Sequence, residues 1–72
     1  MSNSHLITQL YKRALETVQE SSELFEKAII LMKEGKHAQA TVTQELARQK
    51  RNESQWLVSE AQKLEDKDLM PF

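Results

Sequence analysis

The chain has no cysteine, one glycine and one proline in 72 residues. Its aromatic side chains are one tryptophan, one tyrosine and two phenylalanines. Each scarcity closes a class of answer. Without cysteine there is no disulfide and no thiolate zinc site. One glycine and one proline cannot supply the many tight turns of an all-β fold. No apolar run approaches the roughly 20 residues that span a bilayer. The first residues lack the basic-then-apolar order of a signal peptide. The expectation is a soluble, cytoplasmic protein that uses no membrane. Charge of one sign is lacking too: ten basic against eleven acidic residues leave a net charge of −1. A phosphate backbone is therefore not expected as the main partner.

Chemistry-bearing constellations are equally sparse. His5 and His37 stand far apart, with no companion ligand at metal spacing. The glutamates fall on polar helix faces, whereas general acid–base work needs a carboxylate in a pocket. No phosphate-cradling glycine loop or nucleophile motif is present. The reading expects no catalytic residue, no cofactor and no metal: the chain is not expected to be an enzyme.

What remains is helical periodicity. Ile7, Tyr11, Ala14, Val18, Ser21, Phe25, Ala28 and Met32 follow one another at spacings of four and three. Such a row is the seam of a helix packed lengthwise on another helix. Leu10, Leu24 and Leu31 widen it on one flank, and Leu15 and Ile29 on the other. Lys12, Arg13, Glu16, Gln19, Glu20, Glu23, Glu26 and Lys27 make the opposite, solvated face. The helix is predicted over residues 4–34, with Ser2, Asn3 and Ser4 as available N-caps and Gly35 as the left-handed C-cap.

Residues 35–37 form the only turn, and a second helix is predicted over 38–66. Thr41 and Gln44 have capping-box spacing, which would start that helix later. Residues 67–72 are a tail, charged and then apolar, stopped by Pro71. In the second helix Ala40, Ala47, Ser54 and Ala61 recur every seven residues, alternating with Thr43, Lys50, Leu57 and Leu64. Folded back at the glycine, this row is expected to meet the first helix with Ala28 level with Ala47, Ser21 with Ser54 and Ala14 with Ala61. Lys50 would then lie against Phe25. The predicted fold is all-α: one domain, an antiparallel two-helix hairpin of coiled-coil type.

Supply and demand of apolar surface do not match. The first helix carries many more large apolar residues than the second, whose residues 48–55 contain none. A chain this short buries only about 60% of its unfolded surface. Leu24, Ile30, Leu31, Val42, Leu46 and Trp56 are the candidate partner-binding residues. Their expected cover is another helical protein or a second copy of the chain, or else the C-terminal tail. Arg48, Lys50 and Arg51 are the one basic cluster. They define the alternative reading, a small dimeric regulator binding nucleic acid through the second helix.

Two resemblances bear on function. Residues 32–40, MKEGKHAQA, resemble the helix–turn–helix junction of a tetratricopeptide repeat, where a glycine and a following alanine permit close packing. The whole arrangement of two long helices about a glycine turn, with the Ala/Gln/Glu-rich stretch 35–54, resembles the small co-chaperones of type III secretion needle subunits. It is also similar to the helical export chaperones of the flagellar system. The resemblance implies a non-enzymatic protein that sequesters helical subunits before export, and it assigns no site residue.

Overall fold

In the computed structural model, residues 3–69 are described. They form α1 (Ser4–Lys33) and α2 (His37–Leu69), packed antiparallel in a hairpin 57 Å long and 16 by 11 Å across. The predicted tail residues 70–72 lie outside the described residues, as does Ser2.

The turn follows from the one glycine. Gly35 has φ +80°, a left-handed conformation that only glycine adopts without steric cost. The Lys36 amide donates to the Leu31 carbonyl at 2.9 Å, and the Gly35 amide to the Met32 carbonyl at 3.0 Å. These two reversed bonds satisfy carbonyls that a helix end leaves open. Four residues after Lys36 the Ala40 amide donates to the Lys36 carbonyl at 2.9 Å, the first bond of α2. The capping box at Thr41 does not form. Thr41 lies inside the helix and its hydroxyl donates back to the His37 carbonyl at 3.0 Å. At the far end α2 runs to Leu69, three residues past its predicted end, because a proline at 71 restricts only its own position and the one before it.

The core is built from small side chains. Ala14, Thr17, Ser21 and Ala28 are buried on α1; Ala40, Thr43, Ala47, Ser54, Leu57 and Ala61 are buried on α2. Leu57 is the only large one among them. The α2 row is the predicted row. The α1 row is rotated from its prediction: Thr17 takes the place expected for Val18, and Val18 and Met32 are 40% and 46% exposed. Close approach of the backbones explains the choice. Alanine, serine and threonine let two helices approach until hydroxyls reach the facing backbone. The Ser21 hydroxyl donates to the Ala47 carbonyl at 2.9 Å, and the Ser54 hydroxyl to the Ala14 carbonyl at 2.8 Å. Thr17 and Thr43 satisfy their hydroxyls within their own helices. No buried side-chain polar atom among the described residues lacks a partner.

Those two serine bonds correct the expected register. Ser21 and Ala47 lie fourteen and twelve residues from Gly35, whereas Ser21 and Ser54 lie fourteen and nineteen. A three-residue turn sets residues equally distant from the glycine level with each other. A row that repeats every seven residues matches its partner equally well after a seven-residue slide, and only the turn decides. Lys50 accordingly meets Glu20, at 3.0 Å, rather than Phe25.

Candidate functional site: two apolar edges of the hairpin

Ion pairs and one hydroxyl bond show which flank of α1 meets which flank of α2. Arg13 pairs with Glu53 at 3.6 Å and Glu20 with Lys50 on one edge. On the other edge the Tyr11 hydroxyl donates to the Glu65 carboxylate, which, with burial second, holds the phenol above its usual pKa. Lys50 is likewise held above its usual pKa, first by its hydrogen bond to Glu20. Residues seven apart on a helix of a pair share a side. Leu6, Lys27, Gln39, Leu46 and Glu60 therefore belong to the first edge; Val18, Phe25, Met32, Gln44, Arg51 and Val58 belong to the second.

Five of the six predicted binding residues concern the first edge; Ile30, seven residues from Glu23, lies on the solvated face of α1. Leu24 and Leu31 are half-buried along the seam. Val42 and Leu46, one turn apart on α2, are 62% and 47% exposed, and Ile30 projects from α1 at 57%. Near the turn Leu31 and Val42 line a groove of about 400 Å³ together with Lys27, Ala38, Gln39 and Thr43. Trp56 is 61% exposed but detached. It stands ten residues beyond Leu46, about 15 Å along the helix, past the Arg13–Glu53 and Lys50–Glu20 pairs. The structure thus brings Leu31 and Val42 together at the groove with Leu46 one turn away, and leaves Ile30 on the solvated face of α1 and Trp56 apart along α2.

The second edge was not singled out from the sequence as a binding surface. Tyr11, Leu15, Val18, Ser22, Phe25, Ile29 and Met32 follow one another at spacings of four and three along α1. Leu15 and Ile29 are 57% and 56% exposed; Tyr11 and Phe25 are half-buried. Helix α1 therefore carries two seams. The small-residue seam closes on α2, and the large-residue seam remains open. The signal lies in Leu15 and Ile29, which the spacing sets on a flank. It is hidden because the same spacing assigns Val18, Phe25 and Met32 to the hairpin seam.

The basic cluster does not form a single surface. Lys50 sits on the seam row and turns to Glu20, Arg48 pairs with Glu45 at 3.1 Å, and Arg51 lies on the second edge. His37 has its Nδ1 3.4 Å from the Met32 sulfur at the turn. Among the described residues no group of three or more His, Cys, Asp or Glu could hold a metal ion, and no helix is long and apolar enough to cross a membrane.

Comparison with protein-family models, with characterised proteins and with solved structures finds no match to this chain.

Proposed function

We propose that this chain is a non-catalytic hairpin that binds an amphipathic helix of another protein in the groove beside its turn. The observation that carries this reading is the groove itself. It is an open cleft between α1 and α2, lined by Lys27, Leu31, Ala38, Gln39, Val42 and Thr43, with Leu46 exposed one turn beyond Val42. A helix laid there as a third strand of the bundle would cover three large apolar groups, Leu31, Val42 and Leu46. Each such group, fully buried, contributes about 1.5–3 kcal/mol. Helix-in-groove recognition uses this kind of surface.

The specific form proposed is a co-chaperone of the secretion type, acting in the cytoplasm on a helical export subunit. Its support is the resemblance in its two long helices, glycine turn and polar second helix, joined to an open cleft beside the turn. The test uses the full chain as bait, with the bound protein identified by mass spectrometry and its aggregation followed by light scattering. The hairpin should hold a helical protein in solution. Val42→Glu combined with Leu46→Glu should abolish that effect while leaving the helical circular dichroism intact. Full retention of partner by this double variant would exclude the groove.

A further inference from the structure

The second edge is apolar along its middle and cationic along its banks. Its apolar row, Tyr11 to Met32, runs for about 32 Å. On the α1 bank Lys12, Gln19, Glu26 and Lys33 recur every seven residues. Lys12 stands three residues from Leu15 and Lys33 four from Ile29, the spacings at which helix side chains are neighbours. On the α2 bank stands Arg51. Lys50 meets Glu20, so in an antiparallel pair the next residue, Arg51, lies level with Gln19 and beside Val18. Among the described residues Lys12, Lys33 and Arg51 make no ion pair. Of the carboxylates that border the edge, Glu26 is unpaired as well, and Glu65 is engaged by Tyr11. The chain has a net charge of −1, yet the unpaired charge on this edge is positive.

We propose that the second edge docks an amphipathic helix of another protein whose apolar stripe is flanked by carboxylates. Its apolar side chains cover Leu15, Val18, Ile29 and Met32, all exposed in the hairpin. Carboxylates on one flank of the stripe reach Arg51, and those on the other flank reach Lys12 and Lys33. Charges that flank an apolar seam in this way set the choice of partner between helices. They also oppose a second copy of the chain. Two copies of α1 laid antiparallel along this row bring Lys12 of each to Lys33 of the other, and like charges so placed disfavour pairing. A phosphate backbone would answer the cations and leave the apolar row between them in water. The inference concerns the edge away from the groove and stands independently of the groove reading.

The test uses the full chain and two fluorescent synthetic peptides of about 21 residues, long enough for the row. Both carry one leucine stripe at spacings of four and three; one has glutamates beside the stripe, the other lysines. Anisotropy titrations at low salt should give the glutamate peptide a dissociation constant at least about tenfold lower, and added salt should narrow the gap. A chain with Lys12→Glu, Lys33→Glu and Arg51→Glu should reverse the order while keeping the parent's circular dichroism, since none of the three ties the helices together. Val42→Glu, on the groove side, should leave the order unchanged. Equal binding of the two peptides, or of neither, would overturn the proposal. An order kept by the triple variant would do the same, as would one abolished by Val42→Glu, which would place the peptide in the groove. Two further outcomes would give the edge to other occupants and overturn it too: duplex DNA binding more tightly than the glutamate peptide, or a parent chain that sediments as a dimer and becomes monomeric with Ile29→Lys.

Discussion

The two seams of α1 run side by side along one helix and behave oppositely. The closed seam is made of Ala14, Thr17, Ser21 and Ala28; the open seam is made of Leu15, Val18, Phe25, Ile29 and Met32. By side-chain area alone the chain folds the wrong way round, burying its small groups and leaving its large ones in water. Packing between backbones resolves this. Ala40, Ala47 and Ala61 are fully buried, and only residues of that size let serine hydroxyls bond the carbonyls of the facing helix. The closed seam gains many dispersion contacts and two cross-helix hydrogen bonds. The open seam leaves its apolar area in water. The surface that holds the hairpin together and the apolar surface left exposed are therefore separated by about one residue's rotation on the same helix.

Enlarging a residue of the closed seam breaks this contrast most directly. Ala47→Leu inserts three carbons where exposure is zero. Overpacking typically costs about 1–3 kcal/mol. The upper end is expected here, because pushing the helices apart also strips the Ser21 hydroxyl from the Ala47 carbonyl. Ile29→Ala, on the open seam, removes as many carbons and should change monomer stability by no more than about 0.5 kcal/mol. Urea unfolding at low protein concentration reads both. Equal effects from the two variants would mean that the seams do not differ in the way described.

The serine bonds sharpen the comparison at a smaller scale. Ser21→Ala and Ser54→Ala each delete one hydroxyl bond, and each carbonyl keeps its place in a helix. A loss of about 0.5–1.5 kcal/mol apiece is expected. The bonds lie about 10 Å apart along the hairpin, so the double variant should sum the single effects. Threonine at either position would test how closely the backbones approach, since its extra methyl has to fit the same gap. No change in either alanine variant would assign the close approach to packing alone.

Much of this fold is legible in the sequence. The glycine turn, the two helices and the whole α2 row from Ala40 to Leu64 follow from spacing. The rotation of α1 does not, because hydrophobic periodicity finds the mean direction of apolar mass. That mass lies between the two seams, drawn outward by Leu15, Val18 and Ile29. Thr17, a polar residue by type, carries no signal that it is buried, although its hydroxyl is satisfied by the Arg13 and Ala14 carbonyls. The register was hidden by the seven-residue repeat that revealed the rows. Of the candidate binding residues, Ile30, Val42, Leu46 and Trp56 are exposed and Leu24 and Leu31 half-buried. That Trp56 stands apart depends on the ion pairs between it and Leu46, which no single-helix pattern contains.

The smallest expected effect concerns the two edges rather than the two seams. Each edge has one titrating tie across the hairpin, Lys50 to Glu20 on the first and Tyr11 to Glu65 on the second. Both groups have folded pKa values raised above their ordinary values of 10.5 and 10.0. A raised value means that the folded state holds the proton more tightly than the unfolded chain. The stability this contributes is fully present below the ordinary value and is lost as pH rises through the folded one. Unfolding midpoints in urea should accordingly fall between about pH 9 and about pH 12. Tyr11→Phe should remove the part of the fall that begins near 10.0, and Lys50→Met the part that begins near 10.5. Both ties lie at the surface, so added salt should flatten the Lys50 part, which is an ion pair, more than the Tyr11 part, whose neutral hydroxyl donates a hydrogen bond. Loss of the whole pH dependence in Lys50→Met alone would show that the first edge carries it and that the Tyr11–Glu65 bond contributes nothing to holding the helices together.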